Sequence, residues 1–144
     1  MFTTEPTTTA LGSLTPVVRH ADEGDAAWFL NCLVTTKASA SETGGAYCIM
    51  EHLLTAASNP PRHVQDDEEE AFYVLEGEVE FEVDGTVATC RAGSFALVPR
   101  GAPHAFRVLS DTARMLVIAS AGGQAHVAGG GLEHFFTEAA GEPA

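Results

Sequence analysis

Four side chains in two separated segments have the types and spacing of a metal site. His63 and Gln65 stand two residues apart at the start of the stretch HVQDDEEEAFYVLEG, and Glu70 closes its acidic run. His104 follows much later, directly after PRGAP. Residues two apart on a strand point to the same face, so His63 and Gln65 are predicted to face one side. Two imidazoles and one carboxylate hold divalent iron, manganese or nickel with open positions for substrate and oxygen, which predicts such a site here.

Gln65 leaves three interpretations of this site open, because it stands where a second His would be expected. Its amide oxygen is a neutral and weaker ligand than imidazole. Gln65 binds the ion through that oxygen, or it orients a water or substrate beside a three-ligand site of His63, Glu70 and His104. In the third interpretation no metal binds, and Gln65 is hydrogen-bonded to its neighbours. Asp66 is discounted as a substitute ligand, because alternation turns it away from His63.

Other polar residues have simpler interpretations. The acidic run 66–70 is, by composition alone, most simply a solvated loop. Isolated histidines on strands are more often exposed or hydrogen-bonded than ligands, and this applies to His20, His126 and His134. For His52 a position in a pocket and one on the surface are equally expected. Met50, on the same face, is expected in the core. Trp28 and Phe29 are expected to form wall or dimer contacts rather than substrate contacts.

The elements that must position these residues are predicted to be short β-strands. Apolar stretches rich in Val, Ile, Phe and Tyr recur between turn signals: TPVVRH, AWFLNCLVTT, AYCIMEHLL, EAFYVLEG, EVEFEV, TVATC, SFALVP, HAFRVLS and ARMLVIAS. Alternation along EAFYVLEG places Phe72 and Val74 on the face of Glu70. Asp84-Gly85 predicts a tight hairpin, because both turn positions need positive φ. Gly77, Gly93 and Gly101 are expected at turns for the same reason.

The predicted fold class is all-β, an antiparallel barrel or sandwich, because many short strands occur with no long helix between them. Only the tail GLEHFFTEAA indicates a helix, a short C-terminal one with Leu132, Phe135 and Phe136 on one face. Residues 1–13 are expected to form a loose arm, and residues 14–144 a single domain.

The composition excludes several classes of function. The chain has 144 residues and a formal net charge of -13, and its seven basic residues are scattered. A nucleic acid or an anionic membrane surface is therefore not expected as a partner. No secretory signal and no membrane-spanning run is recognised. Three cysteines without a paired motif are expected to be buried, reduced thiols in a cytoplasm.

Two spaced motifs in this chain resemble those of the cupin superfamily. Glu70 is followed by six residues and Gly77, and Gly93 by five residues, Pro99, one residue, Gly101, two residues and His104. The resemblance extends from about residue 28 to residue 120 and is to small, single-domain, quercetin 2,3-dioxygenase-like cupins. It implies a small antiparallel β-barrel (jelly roll) around a divalent transition metal, namely iron, manganese, nickel or cobalt.

The resemblance also implies roles for individual residues. The metal ligands would be His63, Gln65, Glu70 and His104, and Glu70 would also be the catalytic base that takes a substrate hydroxyl proton. The family usually has His at position 65 and Asn at position 108, where this chain has Gln and Val. A homodimer is expected from the same resemblance.

The implied function is a metal-dependent oxygenase acting on a small enolic or aromatic substrate, of flavonol or polyketide type. Two alternatives stay open, because one fold hosts many reactions. One is a non-redox cupin, an isomerase, cyclase or epimerase that works by acid–base steps with metal optional. The other is a non-enzymatic module that binds a small apolar ligand.

Overall fold

Nine β-strands and no helix lie within residues 14–120, the part of the chain that the computed structural model describes. They are β1 (Asp25–Phe29), β2 (Cys32–Ala38), β3 (Tyr47–Thr55), β4 (Glu70–Glu76), β5 (Glu78–Val83), β6 (Thr86–Arg91), β7 (Phe95–Val98), β8 (His104–Val108) and β9 (Thr112–Ser120). No helix long and apolar enough to cross a membrane occurs in this range. The arm predicted at 1–13, the C-terminal helix, His126 and His134 lie outside the described residues.

The strands form two antiparallel sheets, which confirms the predicted fold class. The six-stranded sheet has the order β1-β2-β3-β9-β4-β7, and the three-stranded sheet has the order β6-β5-β8. Alternate residues of both sheets point into one shared core, as period-two patterning requires. Its fully buried members include Met50, Met115 and Val117 from the six-stranded sheet and Val79 from the three-stranded sheet. Met50 is therefore a core residue, as predicted.

Gly77 is the point at which the chain passes from the six-stranded sheet into the three-stranded one. Its φ is +83°, a left-handed conformation that side chains rarely adopt. A Cβ added to Gly77 would lie 2.5 Å from the carbonyl oxygen of Thr112 and 2.8 Å from the Cα of Ala113. The crossing is therefore close enough to β9 that only glycine fits.

Two hairpins have the same geometry, but the sequence revealed only one of them. Asp84 and Gly85 have φ of 48° and 84° and join β5 to β6, as predicted. The stretch AWFLNCLVTT was predicted as one strand, and this was wrong. Leu30 and Asn31 have φ of 48° and 61°, and they fold it into the hairpin of β1 and β2. Leucine rarely adopts positive φ, so the sequence carries little signal for this turn.

The three cysteines, Cys32, Cys48 and Cys90, are buried and form no disulfide, as predicted. Burial raises the pKa of Cys32 to about 12. Its thiol therefore stays protonated at neutral pH and behaves as a small apolar side chain.

The segment before β1 was predicted to include a strand, TPVVRH, but it is not part of either sheet. It is held instead by Arg19, whose guanidinium donates to both carboxylate oxygens of Glu42 at 3.1 and 2.8 Å. Glu42 also accepts from the backbone N–H and the hydroxyl of Ser39. The hydrogen bonds from Arg19, and next those from Ser39, lower the pKa of Glu42 to about 2.

Replacing Glu42 by Gln is expected to lower the free energy of unfolding by about 1 kcal/mol at pH 7, since the pair is partly exposed. The folded pKa lies below the ordinary value of 4.5, so this contribution is complete above pH 4.5 and is lost as the pH falls towards 2. Urea unfolding of wild type and variant at pH 7 and pH 3 measures the difference. It should shrink at pH 3, whereas Glu80→Gln, an exposed pair with Arg107, should change little at either pH.

Candidate metal centre

His63 and His104 are paired through their backbones. The N–H of each donates to the carbonyl oxygen of the other at 3.0 Å, in an isolated antiparallel bridge. Residues opposite each other in such a bridge direct their side chains to the same face. Their ring centroids lie 4.2 Å apart with an interplanar angle of 57°. His63 is therefore positioned by the first residue of β8, although it lies outside the nine strands.

The two imidazoles are oriented in the same way. Nδ1 of His63 lies 2.9 Å from the carbonyl oxygen of Pro61, and Nδ1 of His104 lies 2.9 Å from that of Ala102. A carbonyl only accepts hydrogen bonds, so Nδ1 carries a proton in both rings. Each ring can therefore offer Nε2 to an ion, with its orientation held by the backbone as metal-binding histidines require.

Glu70 brings a carboxylate to these imidazoles from the other sheet. It is the first residue of β4 and pairs with Val98 of β7 and Ala119 of β9. The residue is only 5% exposed, and its Oε1 lies 3.1 Å from Nε2 of His104. Phe72 and Val74 are buried on the same face of β4, as the alternation predicted.

The contact between Glu70 and His104 favours a second proton on the His104 ring. Nδ1 of His104 already carries one proton, so the hydrogen bond between Nε2 and Oε1 needs a second one. Burial opposes protonation of His104, but the hydrogen bonds to Glu70 and to the Ala102 carbonyl outweigh it, and the His104 pKa is raised. Metal ligands bind in their deprotonated form, so an ion at this position would replace that proton.

The geometry of the three residues fits a divalent transition metal. One donor atom from each of His63, Glu70 and His104 lies within 4.8 Å of the others. Nitrogen and oxygen ligands lie about 2.1 Å from such an ion, so neighbouring ligands are about 3 Å apart and the donors need to approach one another by up to about 2 Å. Two imidazoles and one carboxylate suit iron, manganese, nickel and cobalt and leave positions open.

Gln65 is near this cluster but is not hydrogen-bonded through its side chain within residues 14–120. Its backbone carbonyl accepts from the N–H of Gly101 at 2.9 Å, which holds residues 63–65 beside the turn before β8. The side chain is half-buried and lines the same cavity as the cluster. The interpretation in which Gln65 is hydrogen-bonded to its neighbours therefore finds no support among the described residues.

The cluster lies in the wall of a cavity of about 460 Å³ between the two sheets. Much of the wall is apolar and includes Phe29, Phe72 and Phe106. The rings of Phe72 and Phe106 lie 6.4 Å apart, and both pack on Phe81 in the core. This volume suits a small organic molecule, with the cluster as its main polar contact.

Two residues of the cavity wall were not recognised from the sequence, and a third, His52, was left undecided between a pocket and the surface. Phe29 lines the cavity although a contact in the barrel wall or a dimer interface was favoured over a substrate contact, and Glu68 lines it although its acidic run was interpreted as a solvated loop. His52 is buried in the same wall, and burial lowers its pKa to about 4, which leaves it neutral at pH 7. Alternation with Glu70 was the available signal for Glu68, since the two residues are two positions apart.

Residues 50–119, which include the whole cluster, match the family model described as the cupin domain. The chain belongs to the cupin superfamily. This cupin is similar to the quercetin 2,3-dioxygenase of Bacillus subtilis strain 168, with 30% identity over 114 residues. The match covers 78% of this chain but 33% of that protein, so this cupin spans about a third of the length of the relative.

Solved structures agree on the fold. A predicted oxalate decarboxylase from Thermotoga maritima has a TM-score of 0.68 and 18% identity, over 73% of this cupin and 99% of that chain. The polyketide cyclase RemF from Streptomyces resistomycificus has a TM-score of 0.65 and 22% identity, over 74% of this cupin and 78% of that chain. At these identities the likeness shows the fold alone.

Proposed function

We propose that this cupin is a metal-dependent oxygenase of a small enolic or aromatic molecule, of flavonol or polyketide type. The observation that carries the proposal is the convergence of His63, Glu70 and His104 in the wall of a largely apolar cavity. The similarity to a quercetin 2,3-dioxygenase supports the choice of reaction.

In this proposal His63 and His104 would hold the ion through Nε2, and Glu70 would hold it through a carboxylate oxygen. A divalent ion bound there would supply Lewis acidity and one-electron chemistry towards dioxygen. The hydrogen bonds of both Nδ1 atoms keep the rings in place while substrate enters and leaves. Backbone pairing of the two histidines makes this half of the site rigid.

Glu70 is also the base in this proposal. Its carboxylate faces the cavity and takes the proton of a substrate hydroxyl, which turns an enol into an enolate. Phe29, Phe72 and Phe106 contact the apolar body of the substrate and exclude water from it. Exclusion of water strengthens the electrostatic interactions around the carboxylate.

The experiment that tests this function combines metal analysis with oxygen uptake. Metal content is measured by mass spectrometry on the protein as purified and after incubation with manganese, iron, nickel or cobalt. About one metal per chain, together with one dioxygen consumed per quercetin lost, is the expected result. No bound metal under any of these conditions, or quercetin loss without oxygen uptake, would contradict the proposal.

A second candidate is non-redox acid–base chemistry, which the buried contact between Glu70 and His104 favours. A carboxyl group and an imidazole 3.1 Å apart can move a proton between two substrate positions without a metal. This candidate predicts isomerisation or cyclisation that persists under anaerobic conditions and after chelation. Turnover that stops when oxygen is removed excludes it.

Replacing Gln65 by His is expected to tighten metal binding by at least about ten-fold, because imidazole is the better ligand for these ions. Titration of the metal-free wild type and variant with nickel, followed by calorimetry, measures the change. Asp66→His is the matched control, because Asp66 is exposed, neighbouring in sequence and outside the cavity wall. Equal affinity in Gln65→His and the wild type would mean that position 65 lies out of reach of the ion.

A further inference from the structure

We propose that the cavity selects uncharged substrates and discriminates against those that carry a carboxylate or phosphate group. This inference rests on the proposed function in one respect, since it places the substrate in the same cavity. It goes further by specifying the charge of the substrate, which neither the fold nor the reaction type determines.

Lys and Arg are the side chains that would pair with a carboxylate or phosphate group of a substrate. The chain contains seven Lys and Arg residues, all within 14–120, and the segments 1–13 and 121–144 contain none. Six of the seven are bound to acidic side chains or backbone carbonyls. These contacts are Arg19 with Glu42, Lys37 with the carbonyls of His20 and Glu23, Arg62 with Glu82, Arg91 with Glu78, Arg107 with Glu80, and Arg114 with Glu51.

None of these cations lines the cavity. Arg62 precedes His63 in sequence, but its side chain is 55% exposed and is bound to Glu82 on β5. Arg100 lies in the turn before β8, where it is exposed and outside the cavity wall.

Outside the cluster, the polar groups of the wall cannot replace a cation. They are the carboxyl group of Glu68, the hydroxyl of Ser58, the amide of Gln65 and the neutral imidazole of His52. Positive charge in the wall is confined to the cluster, where a bound divalent ion or a protonated His104 would face the acidic enol or phenol. A carboxylate or phosphate on the part of a substrate that lies away from the cluster would therefore lose its hydration without gaining a charged partner.

The apolar part of the wall favours the opposite kind of molecule. Three aromatic rings and the leucines Leu30 and Leu54 surround the space, so a flat, uncharged ring system recovers the free energy of its buried apolar surface. Its hydroxyl groups can be paired with acceptors of the wall. The expected substrate thus has one acidic enol or phenol and no permanent negative charge.

The test compares two probes that differ by one carboxylate, 3-hydroxyflavone and its 4′-carboxy derivative. Their dissociation constants are measured by fluorescence at pH 7.5, on the wild type loaded with manganese and again after chelation. We expect the uncharged probe to bind at least about ten-fold more tightly in both states. Tighter or equal binding of the acid, or no binding of either probe, overturns the inference.

A substitution of an exposed residue in the cavity wall provides a second measurement, the affinity for the carboxylated probe. Leu30→Lys places a cation at the cavity, whereas Leu97→Lys places one on the outer face of β7, and the two leucines are 54% and 51% exposed. Leu30→Lys is expected to tighten binding of the carboxylated probe about five-fold or more, and Leu97→Lys to leave it unchanged. An unchanged affinity in Leu30→Lys overturns the inference.

The two proposals fail in different ways. Selective binding of 3-hydroxyflavone without metal-dependent oxygen uptake would contradict the proposed oxygenase activity but not the proposed selection by charge. Oxygen-dependent turnover of both probes with equal affinity would contradict the proposed selection by charge but not the proposed oxygenase activity.

Discussion

Replacing Glu70 by Gln is expected to abolish metal-dependent turnover and to reduce bound metal far below one ion per chain. Glu70 supplies the anionic ligand of the cluster and, in the proposed reaction, the base. An amide is neutral and cannot accept the hydroxyl proton of an enol at neutral pH. Loss of both roles is expected to lower kcat/KM by at least about a thousand-fold.

Glu69→Gln is the matched control, because Glu69 is exposed and adjacent in sequence. Its metal content and turnover should equal those of the wild type. Thermal unfolding with and without nickel provides a readout that does not depend on activity, since an ion that binds the folded state raises Tm. Glu70→Gln should lose this shift while its metal-free Tm stays close to that of the wild type. A metal-induced shift that survives in Glu70→Gln would show that Glu70 is not a ligand.

The parts of the site set by local spacing could be predicted from the sequence. The interval from Glu70 to Gly77 and the one from Gly93 to His104 correspond to strand lengths and turns, which the chain itself determines. Alternation then placed Phe72 and Val74 on the face of Glu70. The positive φ at Gly77 and at Asp84 and Gly85 followed from turn chemistry in the same way.

The remaining features of the site depend on contacts between residues far apart in sequence, which the spacing of residues along the chain does not reveal. The bridge between His63 and His104 joins two segments far apart in sequence, and nothing in the residues around His63 marks it as a partner of β8. Phe29 lines the cavity because the unexpected hairpin at Leu30 and Asn31 turns the end of β1 towards it. The cavity exists only where the two sheets face each other, so its lining emerges from packing.

The crossing at Gly77 connects the stability of the fold to the site. It is the direct link between β4, which carries Glu70, and β5, which pairs with β8 and so with His104. Glu70 begins β4 and His104 pairs with Val83 at the end of β5, so both ligands lie at the strand ends remote from the crossing, which can act on their separation only through the packing of the two strands. A change that widens the crossing would be expected to separate the two ligands.

Gly77→Ala is accordingly expected to lower the free energy of unfolding by about 3 to 4 kcal/mol. About 1 kcal/mol comes from the left-handed φ of +83°, and the rest from the clash of the new Cβ with the backbone of Thr112 and Ala113. Backbone atoms cannot turn away as a flexible side chain can, so the chain has to shift. Urea unfolding measures the loss, and Tm should fall by about 10 °C.

Gly85→Ala separates the two causes. Gly85 has nearly the same φ, +84°, but a Cβ there would meet nothing within 4 Å. Its cost should be about 1 kcal/mol, the backbone contribution alone. Gly77→Ala should also weaken nickel binding at temperatures where it is still folded, whereas Gly85→Ala should not, since the hairpin of β5 and β6 carries no ligand. Equal destabilisation by the two substitutions would mean that the crossing yields to the methyl group and does not determine the distance between Glu70 and His104.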